Sequence, residues 1–139
     1  MTASAKLPPA LIVSRFDLER LERLLDRVGG GENLDLLRAE LDRADVVEPK
    51  DVPPDVVTMN SQVRVVDEAT GEESELRLVF PAAADAERGA ISVLAPIGSA
   101  LLGLRVGATI EWPVPDGRAR RIRVIAVSYQ PEAAGDHHL

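Results

Sequence analysis

The sequence contains no cysteine among its 139 residues. Disulfides, thiolate metal sites and cysteine nucleophiles are therefore excluded, and the composition fits a reducing compartment. Aromatic residues make up only 3% of the chain, with two Phe, one Trp and one Tyr. A stacking platform for single-stranded nucleic acid needs several exposed rings, so this scarcity argues against such a function.

Positive charge and long apolar runs are also scarce. The 16 Lys and Arg residues are outnumbered by 23 Asp and Glu residues, which gives a net charge of −7. Because this charge opposes phosphate backbones, we expect no direct nucleic-acid binding, whereas a basic protein surface is a suitable partner. The apolar stretch at residues 7–13 is interrupted by Pro8 and Pro9 and is too short for a signal peptide or a membrane span. We therefore expect no membrane association and a cytoplasmic location.

Residues 14–47 have the pattern of two amphipathic helices joined by three glycines. Ser14 is placed to cap the first helix. Stripes with heptad a/d spacing follow, consisting of Leu18, Leu21, Leu25 and Val28 on the first helix and Leu34, Leu37, Leu41 and Ala44 on the second. Two such stripes joined by a short loop predict an antiparallel helical hairpin.

The rest of the hairpin surface carries mixed charge, and Glu19 and Arg23 have the i, i+4 spacing of a stabilising ion pair. Leu24 and Leu36 lie beside the stripes and would leave an apolar strip free. We expect a monomer, although a leucine seam would also allow pairing with a second copy.

Three prolines, Pro49, Pro53 and Pro54, interrupt the helical pattern and predict extended backbone. We place a domain boundary here, with the helical hairpin at residues 1–48 and a second domain at residues 49–139. Short apolar segments then predict five strands, at residues 62–66, 75–80, 91–95, 109–112 and 121–129. The expected fold is α+β, a predominantly antiparallel sheet with one short helix at residues 98–102.

Residues 91–107 form the most distinctive segment, an apolar strand that runs into Pro96 and continues as a helical turn. Gly103 and Gly107 are suited to left-handed backbone at the turns that follow. The only hydroxyls in the segment are those of Ser92 and Ser99, with no His or Cys nearby. This composition is typical of a packed binding domain rather than of an active site.

Two further groups of polar residues stand out near the end of the chain. The alternation of strand residues puts two arginines on one face, and a basic hairpin results, formed by Arg118, Arg120, Arg121 and Arg123. This hairpin is either a solvated outer face or a contact patch for an acidic protein surface. His137 and His138 follow Asp136, but neighbouring residues at a chain end rarely converge on one ion, so we predict no metal site and no cofactor.

Three separated segments carry a family resemblance. They read D-V-V-T-M-N-S at residues 55–61, V-L-A-P-I-G-S-A-L-L-G-L-R-V-G at residues 93–107 and Y-Q-P-E-A-A-G-D at residues 129–136. Together with the hairpin and the proline linker, they resemble the Rnk family of bacterial regulators of nucleoside diphosphate kinase. That family is in turn similar to the C-terminal domain of the Gre transcript-cleavage factors.

The resemblance implies an FKBP-like α+β domain, a short N-terminal coiled coil, and binding to RNA polymerase at the rim of its secondary channel. In Gre factors a long coiled coil reaches the polymerase active site, where acidic tip residues help to hold a metal ion. Here the first helix spans about fourteen residues, or roughly 20 Å, about half the length of a Gre arm. The glycine apex is flanked by Asp26, Glu32 and Asp35, which are either tip acids for a metal or ordinary charges at helix ends.

The resemblance also indicates a docking loop. We select Val93, Leu94, Pro96 and Ile97 as candidate contacts with RNA polymerase, the alternative for each being core packing. The Gre pattern has an aspartate and a serine before the shared proline, whereas this chain has Leu94 and Ala95 there.

These observations favour a noncatalytic regulator that competes with Gre factors and so affects nucleoside diphosphate kinase levels. The alternatives are a stimulator of transcript cleavage and a direct binder of the kinase. The FKBP-like fold also suggests prolyl isomerisation, but four dispersed aromatics do not furnish its pocket.

Overall fold

The computed structural model describes residues 11–28, 32–113 and 119–136. Its strands are β1 (Ile12–Ser14), β2 (Asp45–Val47), β3 (Gln62–Asp67), β4 (Glu73–Val79), β5 (Ala90–Ser92), β6 (Thr109–Pro113) and β7 (Ala119–Tyr129). Its helices are α1 (Arg15–Val28), α2 (Glu32–Asp42), α3 (Pro96–Leu101) and α4 (Pro131–Ala134). Within the described ranges, none of these helices is long and apolar enough to cross a membrane. The predicted α+β fold is confirmed.

Helices α1 and α2 form the predicted hairpin, hereafter the arm. Ser14 caps α1 as predicted, because its Oγ accepts a hydrogen bond of 3.0 Å from the backbone N–H of Asp17. Four of the predicted seam leucines are buried, namely Leu21, Leu25, Leu37 and Leu41. Arg38 on α2 closes the hairpin from outside by donating to the carbonyl of Leu25 at 2.7 Å.

Three predictions about the arm surface are wrong. Leu24 is only 5% exposed, whereas its expected neighbour in a free strip, Leu36, is 64% exposed. The arm packs against the sheet domain as well as on itself, so the buried face of α1 is wider than a two-helix seam. Val28, at the end of the predicted stripe, is 41% exposed. Glu19 forms its ion pair with Arg15, at 4.0 Å, rather than with Arg23.

The sequence analysis missed a pair of short parallel strands at the base of the arm. Strand β1 leads into α1 and β2 follows α2, and Val13 pairs with Val46 at the centre of the ladder. Strands of three residues are too short to show a period of two. The pair fixes where both ends of the arm leave the body.

The second sheet has the strand order β5-β4-β3-β7-β6. Three of its pairings are antiparallel, as predicted, and the edge pairing of β5 with β4 is parallel. Strand β5 ends at Ser92, three residues before the predicted end, and α3 begins at Pro96, ahead of the predicted residue 98. The prediction of one short helix is also wrong, because α4 forms at the end of the described chain.

One hydrophobic cluster joins the arm to the sheet. It contains leucines of α1 and α2 and valines of β3 and β7. It also contains Met59 before β3, Leu78 of β4 and Leu101 of α3. The boundary predicted at residues 48/49 therefore separates two segments that share a core, and it stays a prediction.

Candidate docking surface

The chain reverses direction between β5 and α3. The N–H of Val93 donates to the Val79 carbonyl at 2.9 Å and ends the ladder. The Ser92 side chain then accepts from the N–H of Leu94 at 3.0 Å, and the Ser92 carbonyl accepts from the N–H of Ala95 at 3.0 Å. A serine that bonds the backbone two residues ahead is a local turn signal, so Ser92 ends the strand here.

Helix α3 begins at Pro96, a position where a missing N–H costs nothing. It lies so close to β5 that an ideally placed Cβ at residue 98 would come within 2.0 Å of the Ser92 carbonyl oxygen. Gly98 is therefore required for the close approach of helix and strand. This requirement was not foreseen from the sequence.

The four predicted contact residues have different environments. Val93 is fully buried, at 0% exposure, so its side chain belongs to the core and it is corrected from a contact to a packing residue. Leu94 and Ile97 are half-buried and pack against the core cluster. Pro96 is exposed between them. We call residues 94–97 the docking turn.

Gly103 and Gly107 have the left-handed backbone predicted for them, with φ of +81° and +94°. Gly103 donates its N–H to the Val57 carbonyl at 2.8 Å, and the N–H of Val57 donates to the Leu104 carbonyl at 2.8 Å. A Cβ at residue 103 would lie 2.3 Å from the Cβ of Leu11. The segment after α3 is thus held against the chain that enters the arm.

A buried polar cluster lies where the arm, the segment before β3 and α4 meet. Its members are Asp17, Thr58, Ser61 and Glu132, all between 0% and 9% exposed, and we call it the base cluster. Asp17 accepts from the N–H of Met59 at 3.2 Å. Thr58 donates its hydroxyl to Glu132 at 2.8 Å, and the N–H of Thr58 donates to the Ser61 hydroxyl at 2.9 Å.

Burial raises the pKa of Asp17 from 3.8 to about 6, and the nearby Glu132 carboxylate acts in the same direction. The hydrogen bond from Arg20, at 2.5 Å, opposes this rise. In the sequence, Asp17 is recognisable only as a residue of the first helical turn. Its tertiary role has no local sequence signal, because its partners from the sheet domain, Met59 and Glu132, lie more than 40 residues away along the chain.

Gln130 completes the attachment of α4. Its side-chain amide donates to the carbonyls of Pro53 at 2.8 Å and Val56 at 2.7 Å, and its side-chain oxygen accepts from the N–H of Ala133 at 3.1 Å. The segments at residues 55–61 and 129–136, which carry much of the family resemblance, therefore meet at and beside the base cluster. Their shared role is to join the arm to the sheet.

The other candidate polar sites are described only in part, and among the described residues no group of three or more His, Cys, Asp or Glu side chains is placed to hold a metal ion. Asp26 is exposed on α1, and Asp35 forms an ion pair with Arg38 at 3.5 Å. The side chain of Glu32, the glycine apex, Arg118, the side chain of Arg120, His137 and His138 lie outside the described residues. Arg121 and Arg123 do share one face, as predicted, and both pair with Glu68.

Comparison with known families agrees with this architecture. A family model described as "Transcription elongation factor, GreA/GreB, C-term" matches residues 52–129, and one described as "Rnk N-terminus" matches residues 9–47. The transcription elongation factor GreA of Thermodesulfovibrio yellowstonii is 36% identical over 94 residues, which is 68% of this chain and 59% of that protein.

Similarity to solved structures and to a regulator covers most of the chain. A structure titled "Prokaryotic transcription elongation factor GreA/GreB from Nitrosomonas europaea" has a TM-score of 0.79 and 49% identity, over 88% of this chain and 100% of that one. The "Regulator of nucleoside diphosphate kinase" of Escherichia coli K12 is 45% identical over 133 residues, which is 94% of this chain and 98% of the relative. The chain therefore belongs to the Rnk family of regulators of nucleoside diphosphate kinase, and its second part is a GreA/GreB C-terminal domain.

Proposed function

We propose that this protein is a noncatalytic regulator that binds core RNA polymerase beside the secondary channel and competes there with Gre factors. The observation that carries the proposal is the match of residues 52–129 to the GreA/GreB C-terminal domain. This domain bears the docking turn, where the exposed Pro96 stands between two apolar side chains that are only half-buried. Such a surface provides shape and apolar area for a partner and no reactive group.

The length of the arm supports a protein that occupies the channel entrance without stimulating transcript cleavage. Helix α1 has 14 residues, which at 1.5 Å per residue gives roughly 20 Å. This is about half the reach that the resemblance assigns to a Gre arm. An arm of this length would stop short of the polymerase catalytic centre, so we expect competition with Gre factors and no stimulation of transcript cleavage.

The test is binding of the purified chain to core RNA polymerase, with a Gre factor as competitor and a cleavage assay on stalled complexes. Competition without cleavage supports the proposal. An absence of binding at micromolar concentrations would overturn it, and stimulated cleavage would replace it with a Gre-like activity.

The docking turn is tested by Ile97→Asp, which places a charge where an apolar contact is proposed. Val46→Asp is the matched control, because Val46 is 42% exposed and lies on β2, outside the docking turn. We expect weaker polymerase binding for Ile97→Asp alone, with both variants folded by circular dichroism. Equal binding by the two variants would show that the docking turn is not part of the interface.

A direct effect on the kinase is a second candidate, favoured by the name of the relative that is 45% identical over 98% of its length. It predicts that the purified chain changes the rate of purified nucleoside diphosphate kinase in the absence of polymerase. If an excess of the chain does not change the rate of the kinase, the direct effect is excluded, and any effect on the kinase acts on its level through transcription.

A further inference from the structure

Three arginines of the arm line a groove on the side of α1 that faces the chain after β4. The groove has a volume of about 490 Å³ and lies between α1 and the chain that follows β4. Its rim consists of Arg20, Arg23 and Arg27, and its floor of Leu24, Phe80 and Pro81. We call it the arginine groove.

The arginines form a ladder along α1. Residues at i, i+3 and i+7 lie on one face of a helix, and seven residues at 1.5 Å each place the ends of the ladder roughly 10 Å apart. Arg20 is held in place, because Asp17 accepts its hydrogen bond at 2.5 Å. Its guanidinium also lies 4.2 Å from the ring centre of Phe16 and 4.7 Å from that of Phe80.

Arg23 and Arg27 are exposed, and among the described residues neither forms an ion pair. The acids nearest in sequence lie away from the groove: Glu19 pairs with Arg15, and Glu22 and Asp26 line a different cavity towards α2. A chain with 23 acidic and 16 basic residues thus leaves two neighbouring positive charges uncompensated beside an apolar floor.

The groove adjoins the docking turn through the strands β4 and β5. Val79 and Ser92 are partners in the parallel ladder. Phe80 follows Val79 into the groove, and the docking turn begins at Leu94, two residues after Ser92. Both surfaces therefore begin within two residues of the same paired position, at one end of the sheet, and a partner bound at the turn can reach the groove.

We propose that the arginine groove receives an acidic amphipathic helix of RNA polymerase, an inference that rests on the proposed function. Carboxylates one turn apart on that helix match Arg23 and Arg27, which are also one turn apart. An apolar side chain between them fills the floor beside Leu24 and Phe80. The phosphates of a nucleic-acid backbone also lie along a line, but the net charge of −7 opposes such a backbone. The apolar floor of Leu24, Phe80 and Pro81 suits a side chain of a protein helix.

The experiment compares two double charge reversals in equilibrium binding to core RNA polymerase. Arg23→Glu with Arg27→Glu alters the groove. Arg64→Glu with Arg77→Glu is the control, because it makes the same change in net charge on the outer face of the sheet, where both arginines are exposed. We expect roughly tenfold weaker binding for the groove pair and at most about twofold for the control pair, a difference that shrinks as salt is added.

If the two double variants lose the same amount of binding, or if the groove variant loses none while the wild type binds, the groove does not contact the polymerase. The proposed function would then still stand. Failure of the wild type to bind polymerase would overturn both. These outcomes separate the two proposals.

Cross-linking identifies the occupant. Because the chain has no cysteine, Ala82→Cys beside the groove gives a single site for a photoreactive label, with Ala69→Cys in the β3–β4 turn as the control. We expect Ala82→Cys alone to cross-link an acidic helical stretch of the polymerase. Cross-links to RNA or DNA in elongation complexes, or none in a complex that forms, would contradict the proposal.

Discussion

The base of the arm (residues 14–25) and its outer part (residues 26–28 and 32–36) belong to the same hairpin but differ in the burial of their apolar side chains. At the base, Asp17 and Leu21 are fully buried, and Asp17 is bonded to the backbone of Met59 in the sheet domain. In the outer part, Val28 is 41% exposed and Leu36 is 64% exposed. One amphipathic pattern thus serves two purposes along its length.

The difference shows that the arm is held by its base. Changes there disturb a core shared with the sheet, so they cost stability. Side chains farther out contact solvent or the other helix, so substitutions there should affect partner binding more than stability. The predictions below test this division, beginning with the largest expected effect.

Gly103→Val is expected to be the most damaging single change. The left-handed backbone disfavours a β-branched residue, and its Cβ would lie 2.3 Å from that of Leu11, the residue before β1. We expect a loss of about 4 kcal/mol in the free energy of unfolding, measured by urea denaturation. Gly107→Ala is the control: no atom lies within 4 Å of its Cβ position, so strain alone, about 1–2 kcal/mol, remains. Similar losses of stability in the two variants would show that the close contact between residues 103 and 11 does not contribute.

Asp17→Ala and Asp26→Ala compare the stability contributions of the base and the outer part within one helix. The first change leaves the buried N–H of Met59 and the guanidinium of Arg20 without a carboxylate, and we expect a loss of about 3 kcal/mol. The second removes an exposed acid and should change stability by less than about 0.5 kcal/mol. Comparable losses from the two alanines, by thermal or urea unfolding, would remove the distinction.

The base cluster should also make stability depend on pH. Because burial raises the pKa of Asp17 from 3.8 to about 6, the folded state keeps a proton that the unfolded chain releases. Its stabilising effect is therefore complete below about pH 4 and is lost as the pH rises through 6. Between pH 4 and pH 7 the wild type should lose about 2 kcal/mol more than Asp17→Asn. Parallel pH profiles for the two proteins would contradict this.

Glu48→Gln should have the smallest effect. Arg15 donates two hydrogen bonds of 2.9 Å to Glu48 across the surface of the base, and this lowers the pKa of Glu48. The stabilising effect is present above the ordinary pKa of a glutamate and is lost as the pH falls. Since both side chains are about half exposed, at 61% and 48%, we expect a shift in the unfolding midpoint that disappears in high salt. A loss as large as that of Asp17→Ala would show that surface pairs also hold the base.

Much of the local structure was predictable. The cap at Ser14, the buried seam leucines and the left-handed Gly103 each depend on residues close in sequence, where capping, helical periodicity and backbone sterics act. The β1–β2 pair was not predictable, because strands of three residues have no readable period. The early end of β5 at Ser92 depends on a side chain turning back on its own backbone.

The burial of the four candidate contacts was predictable only in part. Pro96, Leu94 and Ile97 lie on or near the surface as a contact requires, whereas Val93 is in the core, and alternation along an assumed strand gave no way to tell them apart. The arginine groove was out of reach for a different reason. The pattern shows three arginines on one helical face, but Phe80 and Pro81 come from a distant part of the chain.

The sequence by itself determined the two helices of the arm, most of the strands, the left-handed turns at Gly103 and Gly107 and the family, because these follow from local sterics, periodicity and residue identity. Only the tertiary structure decided that Asp17 lies next to Glu132, that Leu24 is buried and that the arginines of α1 face an apolar floor. Burial and charge at these positions are set by residues far apart in the chain, and it is folding that brings them together.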